Sequence, residues 1–192
     1  MPAQKSDMRP LSNTEQGYGL VAVLLHWGMA LLLCGLIGLG LYMVWLPDVG
    51  FDQEKILLIL VHKAIGMAAL AGALLRLGWR ACNALPALAA SLPQEQQVAA
   101  RFVHLVFYAL MIALPMTGWL MSSAGGYPVP LFDGFSLPDL TGLNEDHFQL
   151  YIAVHRWLGY ALLMLLVLHA GAALHHHLVR GDDTLRRMWP RG

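Results

Sequence analysis

"VHRWLGYALLMLLVLHAGAALHHH", Val154 to His177, is the stretch whose reading decides the fold. It is apolar over most of its length, yet it carries five histidines. His155, His169 and His176 are separated by fourteen and then seven residues. At about 100° per residue those three fall on one stripe of a helix, with His175 and His177 to either side. A segment long enough to cross a bilayer therefore carries a row of groups that hydrocarbon disfavours.

The rest of the chain has the same character. Of 192 residues 57% are hydrophobic and only 12% charged, and the mean hydropathy is +0.55. Soluble globular domains carry about a quarter charged residues. Apolar runs at 20–45, 56–79, 98–121 and 148–179 each reach the roughly 20 residues that span a bilayer as helix. The fourth is longer and is expected to tilt or project. These runs predict an all-α, integral membrane four-helix bundle, one domain over 1–192. The first 17 residues are polar without a signal-peptide pattern, so the first span is expected to be an uncleaved anchor. The Gly/Pro-rich "SAGGYPVPLFDGFSLPDLTG" belongs to a third loop of about 26 residues, long enough for a functional lid. Pro115 is expected to kink the third span. Cys34 and Cys82 lie in no CxxC or CxxCH pattern, and Cys34 reads as a small packing residue.

Charge sets the expected orientation. Lys5, Arg9, Arg76, Arg80, Arg101, Arg180, Arg186, Arg187 and Arg191 lie at the N-terminus, the second loop or the C-terminus. Only Lys55, Lys63 and Arg156 lie toward the other side. The positive-inside rule then makes both termini cytoplasmic and turns the long loop outward, to the periplasm of a bacterium. The formal net charge of zero gives no footprint for nucleic acid, and no such partner is expected. Membrane lipid is the expected surroundings.

On this orientation the histidines sort by depth. His62 and His155 share the outer level. His26, His169 and His104 share the inner one, with His176 nearer the cytoplasmic surface. Ionisable residues within spans usually face the bundle interior and mark function. Imidazole suits haem iron, zinc or copper. No acidic residue lies beside these histidines within the spans, so pairs fit the axial positions of haem better than a zinc cage. "HKAIG" at 62–66 and "HRWLG" at 155–159 share a pattern: histidine, base, then glycine four residues on. Gly66 and Gly159 would leave room for a flat macrocycle, or serve helix packing. Lys63 and Arg156 would reach haem propionates, or snorkel to the interface. Arg76, fourteen residues after His62, would meet an inner propionate or a quinone headgroup, or snorkel. His175 and His177 read as facing headgroups or solvent, since three adjacent helical residues cannot all face one ion.

The run from "LLHW" through "VHKAIG", "HLVFYALMIALPMTGWLM", "VHRWLGY" and "LHAGAALHHH…DDTLRRMWP", about Tyr18 to Pro190, resembles the bacterial cytochrome b561 family. The resemblance implies an inner-membrane protein with two haem b groups. Their iron ligands would be His26 with His169 inside and His62 with His155 outside. It implies catalytic, quinone-site roles for His104 and His176, with ubiquinone as acceptor and superoxide as outer donor, that is, a superoxide:quinone oxidoreductase. Two further readings stand beside it: an electron-relay subunit for a partner dehydrogenase or reductase, and a metal-ion transporter. Seven outer acids, Asp48, Asp52, Glu54, Asp133, Asp139, Glu145 and Asp146, oppose long-range attraction of an anion such as superoxide.

Overall fold

The computed structural model describes residues 9–15, 17–47, 52–86, 93–132 and 134–189. Lys5, Asp48, Asp133, Pro190 and Arg191, named above, lie outside the described residues. Four long apolar helices follow one another: α1 (Leu20–Trp45), α2 (Gln53–Cys82), α3 (Gln94–Ala124) and α4 (Glu145–His175). A π-helical turn, His176–Arg180, extends α4. The helices alternate in direction, with α1 packed on α2, α2 on α3 and α3 on α4.

The first span ends where hydropathy predicts, whereas α2, α3 and the start of α4 run about three or four residues past the apolar runs. Caps explain the earlier starts of α2 and α4. The Asp52 carboxylate accepts from the amides of Glu54 and Lys55, and Asn144 Oδ1 accepts from the amide of His147. Such caps satisfy helix-end donors in polar residues that a hydropathy window leaves out.

The long loop departs from a purely helical expectation. It folds into a β-hairpin of β1 (Val129–Phe132) and β2 (Phe135–Leu137), antiparallel, with Val129 opposite Leu137. Gly134, at φ +78°, turns the chain between them. The loop is tied to the end of α3. Trp119 Nε1 donates to the Pro138 carbonyl at 3.0 Å, the Leu140 amide to Ser123 Oγ at 3.0 Å, and the Asn144 amide to the Ala124 carbonyl at 3.0 Å. Ser122 and Ser123 are each only 2% exposed under this strap.

The opposite end of the bundle carries both ends of the described chain. Arg9 donates to the Arg187 carbonyl at 2.9 Å, Trp27 Nε1 to the Met188 carbonyl at 2.6 Å and Asn13 to the Ala84 carbonyl at 3.0 Å. The bundle thus has a hairpin end and a termini end. Between them sits a core of Met29, Leu33, Ala69, Ala73, Phe107, Leu110, Met111 and Leu162. Elsewhere large apolar side chains such as Leu31, Leu75, Leu105, Trp157 and Val167 are exposed, as on a surface solvated by lipid. Cys34 is exposed as well and is not the packing residue its size suggests.

Candidate functional site: two histidine pairs sharing one helix

The core marks the middle of the site. Leu162 lies seven residues from both His155 and His169. Ala69 lies seven from both His62 and Arg76. Fourteen residues at about 1.5 Å each separate the two levels by about 21 Å. The fourth helix therefore presents one histidine to each level, because fourteen residues return a helix nearly to the same face.

At the hairpin end, the rings of His62 (α2) and His155 (α4) lie with centroids 6.3 Å apart. His155 Nδ1 is 3.1 Å from the Leu114 carbonyl and 3.1 Å from Thr117 Oγ1. The Thr117 hydroxyl itself donates to the Leu114 carbonyl at 2.8 Å. An acceptor carbonyl requires Nδ1 to carry the proton, which leaves Nε2 of His155 as the free ligand nitrogen. Pro115 lies in this turn of α3, which continues unbroken to Ala124. Nδ1 of His62 is buried and has no hydrogen-bond partner among the described residues. An unmade buried hydrogen bond costs about 1–3 kcal/mol, so such an atom asks for an occupant.

At the termini end, His26 (α1) and His169 (α4) repeat the spacing, with centroids again 6.3 Å apart. His104 (α3) lies 5.9 Å from His169, and Phe107 edges the same ring at 5.2 Å. Arg76 donates to His26 Nδ1 at 3.0 Å. Sequence depth places Arg76 at this level, but its contact with His26 is visible only in the fold. Arg76 and Arg80 both lie over the Tyr108 ring, at 5.7 and 5.8 Å.

A metal ion sits about 2 Å from an imidazole nitrogen, so two rings facing one ion have centroids about 6 Å apart. Both pairs meet that spacing. Among the described residues no cluster of three or more His, Cys, Asp and Glu side chains forms a cage for a bare ion. A Cβ built at Gly66 or Gly159 would meet nothing within 4 Å, so both leave open space one turn from a pair. The hairpin-end pair would hold a haem iron as it stands. The termini-end pair fits once Arg76 turns off His26, because its donation to Nδ1 leaves the proton on Nε2.

The remaining sequence candidates are placed as follows. Lys63 donates to the Pro128 carbonyl at 3.2 Å and lies 5.6 Å from the Tyr127 ring centroid, bound to the hairpin end. Arg156 is exposed. His176 is not among the rings around His169; its Nδ1 pairs with Asp182 Oδ2 at 2.6 Å. Desolvation pushes the Asp182 carboxyl up, but hydrogen bonds from Thr184 and His176 outweigh it and hold it at about 2. Sequence reading missed Asp182, Thr117 and the Leu114 carbonyl. The "DDT" after the last helix was the one legible signal for the first of them.

Four membrane-type helices carrying two stacked imidazole pairs define a multi-pass membrane redox protein of the four-helix cytochrome class. A family profile described as Prokaryotic cytochrome b561 matches residues 17–191, and the chain belongs to that family. Its members are b-type cytochromes that bind haem b and take part in transmembrane electron transfer. The chain is 34% identical over 179 residues to cytochrome b561 homolog 2 of Escherichia coli, covering 92% of this chain and 93% of that one. It is 32% identical over 106 residues to cytochrome b561 homolog 1 of the same organism, covering 55% and 60%. It is 38% identical over 88 residues to a probable superoxide oxidase CybB of Yersinia pestis, covering 46% and 49%.

Proposed function

We propose that the chain is a di-haem b-type cytochrome of the bacterial inner membrane. It carries electrons from a periplasmic donor, superoxide, to ubiquinone at the cytoplasmic side. The observation that carries this reading is the pair of 6.3 Å histidine spacings, stacked about 21 Å apart along one helix. The partial likeness to a probable superoxide oxidase supports the donor, and the arginines at the termini end support a cytoplasmic placement of both termini.

In this reading His26 with His169, and His62 with His155, are the iron ligands. Held by two histidines each, haem would supply a one-electron centre suited to passing electrons rather than binding oxygen. Leu114 and Thr117 hold the His155 ring in its ligating tautomer. Lys63 and Arg156 neutralise propionates at the hairpin end, and Arg76 does so at the termini end. Gly66 and Gly159 keep the macrocycle's faces clear. His104 and His176 serve the quinone. Two superoxide anions give up one electron each and leave as dioxygen; one ubiquinone takes two electrons and two protons.

A second donor class keeps a place. The acids on the outer segments, Asp52, Glu54, Asp139, Glu145 and Asp146 among the described residues, repel an anion and attract a basic protein surface. That pattern favours a relay from a partner dehydrogenase. The test has two stages. Haem content is measured in wild type and in His26→Ala, His62→Ala, His155→Ala and His169→Ala; each should lose one haem and keep the other. A superoxide pulse should then reduce wild-type haem rapidly. Full haem content with no response to superoxide would move the assignment to the relay, and a protein without haem would end both.

A further inference from the structure

The chain does not simply leave α4; it doubles back over it. The π-helical turn His176–Arg180 ends at Gly181, whose φ of +66° is a conformation that side chains resist. The His176 carbonyl accepts from the amides of both Gly181 and Asp182, the latter at 3.2 Å, a closure like that of a Schellman end. The reversal brings the Asp182 carboxylate to His176 Nδ1 at 2.6 Å, with both side chains mostly covered, at 18% and 14% exposure. The second carboxylate oxygen accepts from the Thr184 amide at 2.9 Å. The carboxylate is therefore fixed by backbone on one side and aimed at the ring on the other.

We propose that Asp182 is a positioning residue for His176, fixing the Nδ1–H tautomer and leaving Nε2 as the nitrogen that delivers protons to quinone. The proposal rests on the quinone role given to His176 above. An ionised carboxylate only accepts, so Nδ1 must hold a proton in the pair. The doubly protonated ring, balanced by the carboxylate, gives its Nε2 proton to a reduced quinone oxygen. The same nitrogen then regains a proton from cytoplasmic water, and the Nδ1 proton never leaves the bond to Asp182. Among the described residues, the groups against His176 are Asp182 and the His175 ring at 6.1 Å. Two other charges of this tail are tied elsewhere: Arg180 donates to Gln96 of α3 at 2.9 Å, and Asp183 faces Arg186 at 3.8 Å.

The test compares wild type with Asp182→Asn and Asp182→Glu as haem-loaded protein in detergent. Nitrogen-15 histidine spectra, with the His176 signal assigned by its loss in His176→Gln, report which ring nitrogen carries the proton. An amide can donate as well as accept, so Asp182→Asn should lose the Nδ1–H preference of the neutral ring, and Asp182→Glu should recover part of it. Quinol formation by Asp182→Asn should slow about tenfold or more while haem content stays at the wild-type value. An unchanged His176 tautomer in Asp182→Asn would overturn the proposal. So would a changed tautomer with an unmoved rate of quinol formation, because proton delivery would then run elsewhere. A wild-type protein that reduces no quinone overturns the parent reading as well, and it is told apart by failing before any substitution is made.

Discussion

Around His155 the geometry is set by very few atoms. Gly118 faces the ring across α3, where an added Cβ would sit 3.4 Å from Cε1, an ordinary contact. On the proposed ligation, Gly118→Ala should therefore keep both haems, whereas Gly118→Leu should push the His155 ring away and lose the hairpin-end haem by pyridine haemochrome assay. Thr117→Val removes the hydroxyl next to Nδ1 but leaves the Leu114 carbonyl. Loss of such an outer-shell partner weakens ligand binding roughly 10-fold, readable as faster haem transfer to an apo-acceptor protein. Sequence spacing finds His155 because a histidine in an apolar helix stands out. It cannot find its partner, since a backbone carbonyl has no letter of its own.

At the scale of elements, the two straps decide what is held still. Ser123 Oγ donates to the Trp119 carbonyl and accepts the Leu140 amide. Ser123→Ala leaves that amide without its partner, a cost of about 1–3 kcal/mol where it is covered. Hydrogen exchange at Leu140 should quicken while the α2 and α4 amides keep their protection. The strap at the other end has a pH signature. The Asp182 carboxyl titrates at about 2 instead of its ordinary 3.8. A depressed carboxylate stabilises the fold fully above its ordinary value and loses that contribution as pH falls through its folded value. Exchange at Thr184 should accordingly rise between pH 3.8 and about 2, and Asp182→Asn should flatten that rise. Helices were legible from apolar length alone, but the hairpin was not. "YPVPLFDGFSLP" is short and broken by prolines, and its strands exist because α2 gives them a surface.

For the whole molecule, the proposed orientation, with the hairpin end outside, rests on charge placement, and so does the net field expected there. With Cys34 and Cys82 replaced by alanine, Ser136→Cys should react with an impermeant maleimide on spheroplasts. Asp183→Cys should react only after lysis. The reverse labelling would turn the proposed electron path over. Among the described outer residues, five acids face Lys55, Lys63 and Arg156. Raising salt from about 0.01 M to 0.15 M shortens the Debye length from about 30 Å to 8 Å and screens their net repulsion. Haem reduction by superoxide should therefore speed up with salt; a slowing would mean that Lys63 and Arg156 dominate the approach.

Four spans, two histidine levels and a basic termini end were readable from the chain alone, because each depends only on composition and on the 3.6-residue period of a helix. The fold alone decided that Nε2 of His155 is free, that Arg76 reaches His26, and that Asp182 returns to His176 across a left-handed glycine. Those contacts join residues far apart in the chain, or on either side of a reversal. Hydrogen bonds of a few ångströms follow from how helices and loops are seated, which no local pattern of side chains encodes.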